Sequence, residues 1–252
     1  PPPAHDLTYS DVFLVPGRSD VPSRLDVDLA PDDGTPATIP IVAANMNSVT
    51  GERLAATLAR RGGLGVLPQD AAPEVVAAQI AAVKAQSPAW DEPTRLDADA
   101  RVADALAVIP PVEGRHLVVT DAAGGVVGAL PATRLRTAQP DARLGDLARL
   151  APTTLRAEDA RDPRTAFEAL DDAEAEFALV LGDDGSLLGS VSRTGLVRSA
   201  IYRPAVDATG RLAVAAAIGV NGDPAGRARA LLDAGVDVLV VDTAHGHQEG
   251  ML

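Results

Sequence analysis

Asp237-Val238-Leu239-Val240-Val241-Asp242-Thr243-Ala244-His245-Gly246-His247 joins an apolar run to a polar cluster. Four consecutive aliphatic residues from Val238 predict a strand buried on both faces, as in a parallel sheet. The polar residues fall where that strand ends, and in α/β barrels the C-terminal strand ends form the catalytic rim. The sequence stops five residues after His247. The expectation is therefore a site to which this segment contributes only a part.

The same alternation recurs on the N-terminal side. Residues 212–218 predict a strand and residues 225–234 a helix, with Gly235 at its end. Further back, Ile39-Pro40-Ile41-Val42-Ala43-Ala44 reads as a short buried strand. Thr50 is a candidate cap for a helix over 51–61 that turns Leu54, Ala55 and Leu58 to one face, with Gly62-Gly63 at its end. Leu64-Gly65-Val66-Leu67 is a second strand. Pro73 opens a helix to about Ala85, with Val75, Val76, Ile80 and Val83 at helical spacing. Strand–helix units in succession predict a parallel sheet.

Between these stretches lies a repeat. Leu117-Val118-Val119-Thr120-Asp121-Ala122-Ala123-Gly124-Gly125-Val126-Val127-Gly128 matches Ala178-Leu179-Val180-Leu181-Gly182-Asp183-Asp184-Gly185-Ser186-Leu187-Leu188-Gly189, offset by 61 residues throughout. Each copy reads as a β-hairpin. A helix precedes each, over 102–109 and 163–170, and a helical stretch follows. A single copy would leave one face open, so the two are expected to pack as one small domain. The chain then divides into 1–91, an inserted repeat domain at 92–203 (copies at about 96–135 and 155–198), and 204–252. The outer parts hold about 140 residues and four strand candidates, whereas an eight-stranded barrel needs on the order of 250 residues. The fold class is α/β: either an open sheet or an incomplete βα barrel.

Composition narrows the partners. A net charge of −13 over 252 residues disfavours nucleic acid and anionic membrane. Aromatic residues are 2% of the chain, so its core must be aliphatic. The sequence contains no cysteine, hence no disulfide, thiolate metal site or cysteine nucleophile. No apolar run reaches 18 residues and no signal-peptide pattern opens the chain, so a cytoplasmic protein is the default expectation.

Five stretches together resemble the IMP dehydrogenase / GMP reductase family. They are Asp6-Leu7-Thr8-Tyr9-Ser10-Asp11-Val12-Phe13-Leu14-Val15-Pro16, residues 39–49, Arg61-Gly62-Gly63-Leu64-Gly65-Val66-Leu67, the repeat, and residues 234–247. The resemblance implies a (β/α)8 TIM barrel, incomplete here after its fourth strand. It also implies an inserted tandem pair of cystathionine-β-synthase-type (CBS) modules. Ala43-Ala44-Asn45-Met46 is closer to the GMP reductase form and Asp242-Thr243-Ala244-His245-Gly246 to the dehydrogenase form. That mixture resembles the CBS-bearing bacterial IMP dehydrogenase-related GMP reductases.

Each candidate site has a plainer rival. Ala44, Asn45, Met46 and Asn47 follow the first strand, where small residues and a polarizable Met suit a purine. The resemblance puts the substrate nucleotide there. The alternative is an ordinary strand end with Met46 in the core. Asp242 suits ribose hydroxyls, and the resemblance brings Thr243 and Ala244 to the nicotinamide. The rivals are a capped turn and a metal site of Asp242, His245 and His247; the expectation is no metal. Gly62-Gly63 and Gly124-Gly125 lack P-loop spacing and its Lys, so turns account for them better. The CBS-type ribose position falls on Gly195 and Arg134, and neither is the usual Asp.

The implied function is NADPH-dependent reduction of GMP to IMP. The alternatives are NAD-dependent oxidation of IMP to XMP, and a non-catalytic CBS-type regulator binding adenine or guanine nucleotide. A homo-oligomer and, in a full-length protein, a monovalent cation also follow from the resemblance. With no cysteine to add to the purine C2, the chain alone is expected to be inactive.

Overall fold

The computed structural model describes residues 7–148 and 152–251. Asp6, which opens the lead-in stretch, and Leu252 lie outside the described residues. The lead-in winds through two 3-10 turns, Tyr9–Asp11 and Arg24–Asp26, and leaves Tyr9, Phe13 and Leu14 exposed.

The first βα segment holds β1 (Val42–Ala43), α1 (Glu52–Ala59), β2 (Leu64–Leu67) and α2 (Pro73–Ala85). The strand expected over 39–44 shrinks to two residues, with Ile41 and Val42 exposed. Among the described residues β1 hydrogen-bonds only the strand β2, which makes it an edge of the sheet. α1 starts from Gly51, not Thr50. Thr50 is buried and its hydroxyl donates to the Ala44 carbonyl at 2.6 Å. It closes the loop after β1 instead of capping the helix. Ala55, Ala56 and Ala59 form the buried face of α1. These small side chains bring the helix onto β2 so closely that a Cβ at Gly65 would stand 2.6 Å from the Ala55 Cα. The left-handed Gly62 (φ +88°) then turns the chain into β2. In α2, Val76, Ile80 and Val83 are buried as the spacing requires, but Val75 faces solvent, one position off that stripe.

Two repeated units follow. The first is β3 (Thr94–Asp97), α3 (Val102–Val108), β4 (His116–Thr120), β5 (Val126–Pro131) and α4 (Leu144–Leu147). The second is β6 (Thr154–Arg156), α5 (Ala157–Ala160), α6 (Pro163–Asp172), β7 (Phe177–Leu181), β8 (Leu187–Ser192) and α7 (Arg193–Ile201). In each, the hairpin carries a third strand in parallel, giving orders β3-β4-β5 and β6-β7-β8. Even the register irregularity recurs, at Val119/Thr120 and Val180/Leu181. Each unit has its own core, and Val118, Ala129 and Leu179 form a third cluster shared between them.

The outer domain resumes with β9 (Ala215–Ile218), α8 (Pro224–Asp233) and β10 (Val238–Val241). β9 starts three residues later than the apolar run, because Leu212 makes an isolated bridge to Val206 instead. The parallel sheet has order β1-β2-β9-β10, so strands from both sides of the insertion are neighbours. Leu67, Ala216 and Ile218 face α2 and α8; Leu64, Val66, Ala215 and Ala217 make the opposite face. β10 is half-buried rather than enclosed, again because it is an edge strand. At the foot of this sheet Lys84 Nζ meets Asp207 Oδ2 at 2.8 Å and Asp237 Oδ2 at 2.7 Å. No described helix is long and apolar enough to cross a membrane.

Candidate functional site

Strands that run parallel end on one side of their sheet, so the segments after β1, β2 and β10 meet. Asn45 Nδ2 donates to Asp242 Oδ2 at 2.7 Å, and Gln69 Nε2 donates to the same oxygen at 3.0 Å. Because an ionised carboxylate only accepts, each amide must present its nitrogen. Among the described residues no donor reaches Asp242 Oδ1. The Asp242 backbone N–H donates to the Ile218 carbonyl at 2.8 Å, extending the β9–β10 ladder by one residue. That bond fixes where the carboxylate leaves the strand.

The loop after β1 is folded tightly on itself. Met46 N donates to the Ala44 carbonyl at 2.8 Å, Val49 N to Met46 at 2.9 Å, and the Thr50 hydroxyl closes it from behind. Ala44, Met46 and Asn47 are exposed, so Met46 is not a core residue. Asn47 Nδ2 donates to Asp70 Oδ2 at 2.6 Å, a second tie between this loop and the end of β2.

Thr243 and Ala244 follow Asp242 on the rim. The Thr243 hydroxyl lies 2.9 Å from both the His245 carbonyl and Gln248 Oε1 and has one hydrogen to donate between them, which rounds the chain into a turn. His245 and His247 are exposed. Among the described residues no three histidine, aspartate or glutamate side chains converge on one point, and the Asp242 carboxylate turns to Asn45 and Gln69 instead of to His245 or His247. The capped-turn alternative also fails for Asp242, whose side chain reaches across to other strands.

Sequence reading missed two members of this site. Gln69 lies two residues beyond β2, and Arg227 sits in the first turns of α8. Both line an open cleft with Asn221, Asp242, Thr243 and Gln248. Arg227 Nη1 donates to the Ala71 carbonyl at 3.0 Å, but its Nε and Nη2 are buried and find no partner among the described residues. A buried guanidinium with idle donors is costly unless something accepts from it. The only sequence signal for either residue is position: Gln69 just past the C-terminal end of β2, and Arg227 in the first turn of the helix that follows β9.

In the repeat units, Gly195 N donates to the Ser192 hydroxyl at 3.2 Å as part of the α7 cap, and Arg134 lies in a 3-10 turn. Neither position presents a carboxylate. Gly62 and Gly124 occupy left-handed turns. At the junction of the units His116 stacks on Phe177, ring centres 4.3 Å apart, with Nε2 2.7 Å from the Ser190 hydroxyl.

A parallel βα sheet with a polar loop and carboxylate at its strand C-termini, interrupted by two repeated units, defines the class: an α/β protein of parallel βα units with an inserted pair. Residues 6–252 match the model of the IMP dehydrogenase / GMP reductase domain, and the chain belongs to that family. It is 45% identical over 248 residues to a GMP reductase of Mycobacterium tuberculosis, covering 98% of this chain and 51% of that protein. It is 32% identical over 249 residues to an inosine-5'-monophosphate dehydrogenase of Halalkalibacterium halodurans, with 98% and 51% covered. Among solved structures, a GMP reductase of Trypanosoma brucei in complex with guanosine 5'-monophosphate superposes with TM-score 0.59 at 27% identity. That match covers 97% of this chain and 53% of that one. The chain thus spans about half the length of the curated relatives it matches.

Proposed function

We propose that this chain supplies the purine-nucleotide loop and part of the nicotinamide-cofactor rim of a GMP reductase, converting GMP to IMP with NADPH. The observation that carries the reading is the 2.7 Å bond from Asn45 to Asp242, which joins the loop after β1 to the rim after β10. Two ligands that react with each other need adjoining sites. Ala44, Asn45, Met46 and Asn47 hold the purine nucleotide, where the exposed backbone and the Met46 thioether offer a flat, polarizable surface. Asp242, Thr243 and Ala244 hold the cofactor.

The residues fit such a cofactor. Asp242 keeps Oδ1 for a ribose hydroxyl, and the idle Arg227 donors suit a phosphate or carboxylate. When bound, the cofactor supplies the hydride. The chain's own part is to bind both ligands and to orient the ribose, since with no cysteine it carries no thiol to add to the purine. Residues 92–203 are read as a CBS-type pair between barrel segments 1–91 and 204–252. The glycine and arginine at its ribose positions favour an assembly role over nucleotide sensing. The greater identity to GMP reductase than to IMP dehydrogenase relatives favours the reductase over the NAD-dependent dehydrogenase.

The test is calorimetric titration of the chain with NADPH, NAD and GMP. Asp242→Ala is expected to weaken NADPH by roughly ten- to a hundred-fold, the loss of a charge-assisted hydrogen bond, and to change GMP affinity far less. A chelator is expected to change neither. Equal NADPH affinity in wild type and variant rejects the cofactor role, and a preference for NAD favours the dehydrogenase.

A further inference from the structure

Asp242 is held from two directions. Gln69 comes from the end of β2, and Asn45 comes from the loop assigned to the purine nucleotide. Both amides take Oδ2, so together they hold the carboxylate, and among the described residues Oδ1 is left without a donor in a residue that lines the cleft. The loop is stiff, because the Ala44 carbonyl accepts from both Met46 N and the Thr50 hydroxyl, and the latter is buried. A ligand that shifts this loop must shift the Asn45 amide with it, and the carboxylate then keeps or loses a donor in a half-buried place.

We propose that Asn45 and Gln69 are positioning residues, and that Asn45 couples nucleotide binding at the β1 loop to cofactor binding at Asp242. This rests on reading the two segments as a nucleotide site and a cofactor site. The two amides have different tasks. Gln69 does not belong to the nucleotide loop, so it orients Asp242 whether or not the nucleotide is present. Asn45 is the member of the nucleotide loop that touches the Asp242 carboxylate itself, and so carries the message directly between the sites. Linkage makes that message reciprocal: the nucleotide changes cofactor affinity by the same factor as the cofactor changes nucleotide affinity. One charge-assisted hydrogen bond limits the factor to roughly 5- to 50-fold.

The experiment measures NADPH dissociation constants for the chain with and without saturating GMP. Wild type is expected to give a ratio of roughly 5- to 50-fold. Asn45→Leu, nearly isosteric but unable to donate, is expected to bring the ratio close to one. Asn45→Ser serves the same purpose should Leu disturb the loop. Gln69→Leu is expected to weaken NADPH in both conditions and to keep the wild-type ratio, which a merely structural lesion would not do selectively. A wild-type ratio of one, or a ratio unchanged in both Asn45 variants, overturns the coupling while leaving the two-site reading intact. Failure of wild type to bind either ligand overturns that reading and the coupling with it.

Discussion

Lys84 is the one lysine of the chain, and its side chain is 5% exposed. Its ammonium spans Asp207 and Asp237, and Asp237 in turn accepts from Val214 N at 2.8 Å. One side chain thereby ties α2 to the turn before β9 and to the start of β10. Burial pushes the Asp207 carboxyl up. The hydrogen bonds from Lys84, Thr209 and Arg211 outweigh that and hold it well below the usual carboxylate range. A folded value below the unfolded one, about 3.9, gives stability that is fully present above pH ~4 and lost on further acidification. Lys84→Met removes the cation and leaves two half-buried carboxylates facing each other. It is expected to cost about 3–5 kcal/mol, measured as a fall in the urea midpoint at pH 7.

Between elements, the contact of β4 with β7 and β8 is made through a buried histidine. Burial pushes the His116 imidazole down to about 4; the Asp91 carboxylate opposes this and Arg115 adds to it. The ring is therefore neutral in the folded protein at pH 6, where an unfolded histidine, near 6.5, is mostly protonated. The sign follows. The contribution is complete above pH ~6.5 and declines as the pH falls toward 4, by on the order of 2 kcal/mol. Thermal unfolding of wild type should fall steeply through that window. His116→Gln keeps a polar group for Ser190 but cannot titrate, so its curve should be flatter there, and equal slopes would reject the account.

At the scale of the whole molecule, the sheet domain and the repeat pair have separate cores joined by short connections. The pair extends further than its apolar runs. Trp90 packs into the second unit's core, and Asp91 pairs with Ser190 across a β-bridge. A fragment of residues 88–202 is accordingly expected to melt cooperatively, while one of 96–200, lacking Trp90 and the start of β3, should melt earlier or without cooperativity. Circular dichroism on the two fragments checks this. A second expectation concerns catalysis. With no thiol in the sequence, the purified chain should show no GMP-dependent NADPH oxidation above a protein-free blank, and turnover would remove the proposed division of labour.

The strand and helix order was legible in the sequence because burial writes itself as period: Leu64 to Leu67, Pro73 to Ala85 and the 61-residue hairpin repeat all lie where their apolar spacing puts them. So was the rim position of Asp242, since a polar residue directly after a buried parallel strand has one place to go. The parallel strands β3 and β6 escaped notice. They are short and alternate in exposure, which makes them resemble loops in one dimension. Thr50 misled for a related reason: its hydroxyl had two acceptable uses, and only the fold of the loop brings the Ala44 carbonyl within 2.6 Å. The exposure of Ile41 and Val42 was likewise invisible, because it depends on which strand stands at the edge. Above all, Asn45, Gln69 and Asp242 are 24 to 197 residues apart in sequence and share one oxygen in space. Local pattern determines what each segment becomes. Which donors surround a carboxylate is decided by strand order, and strand order is a property of the packed sheet.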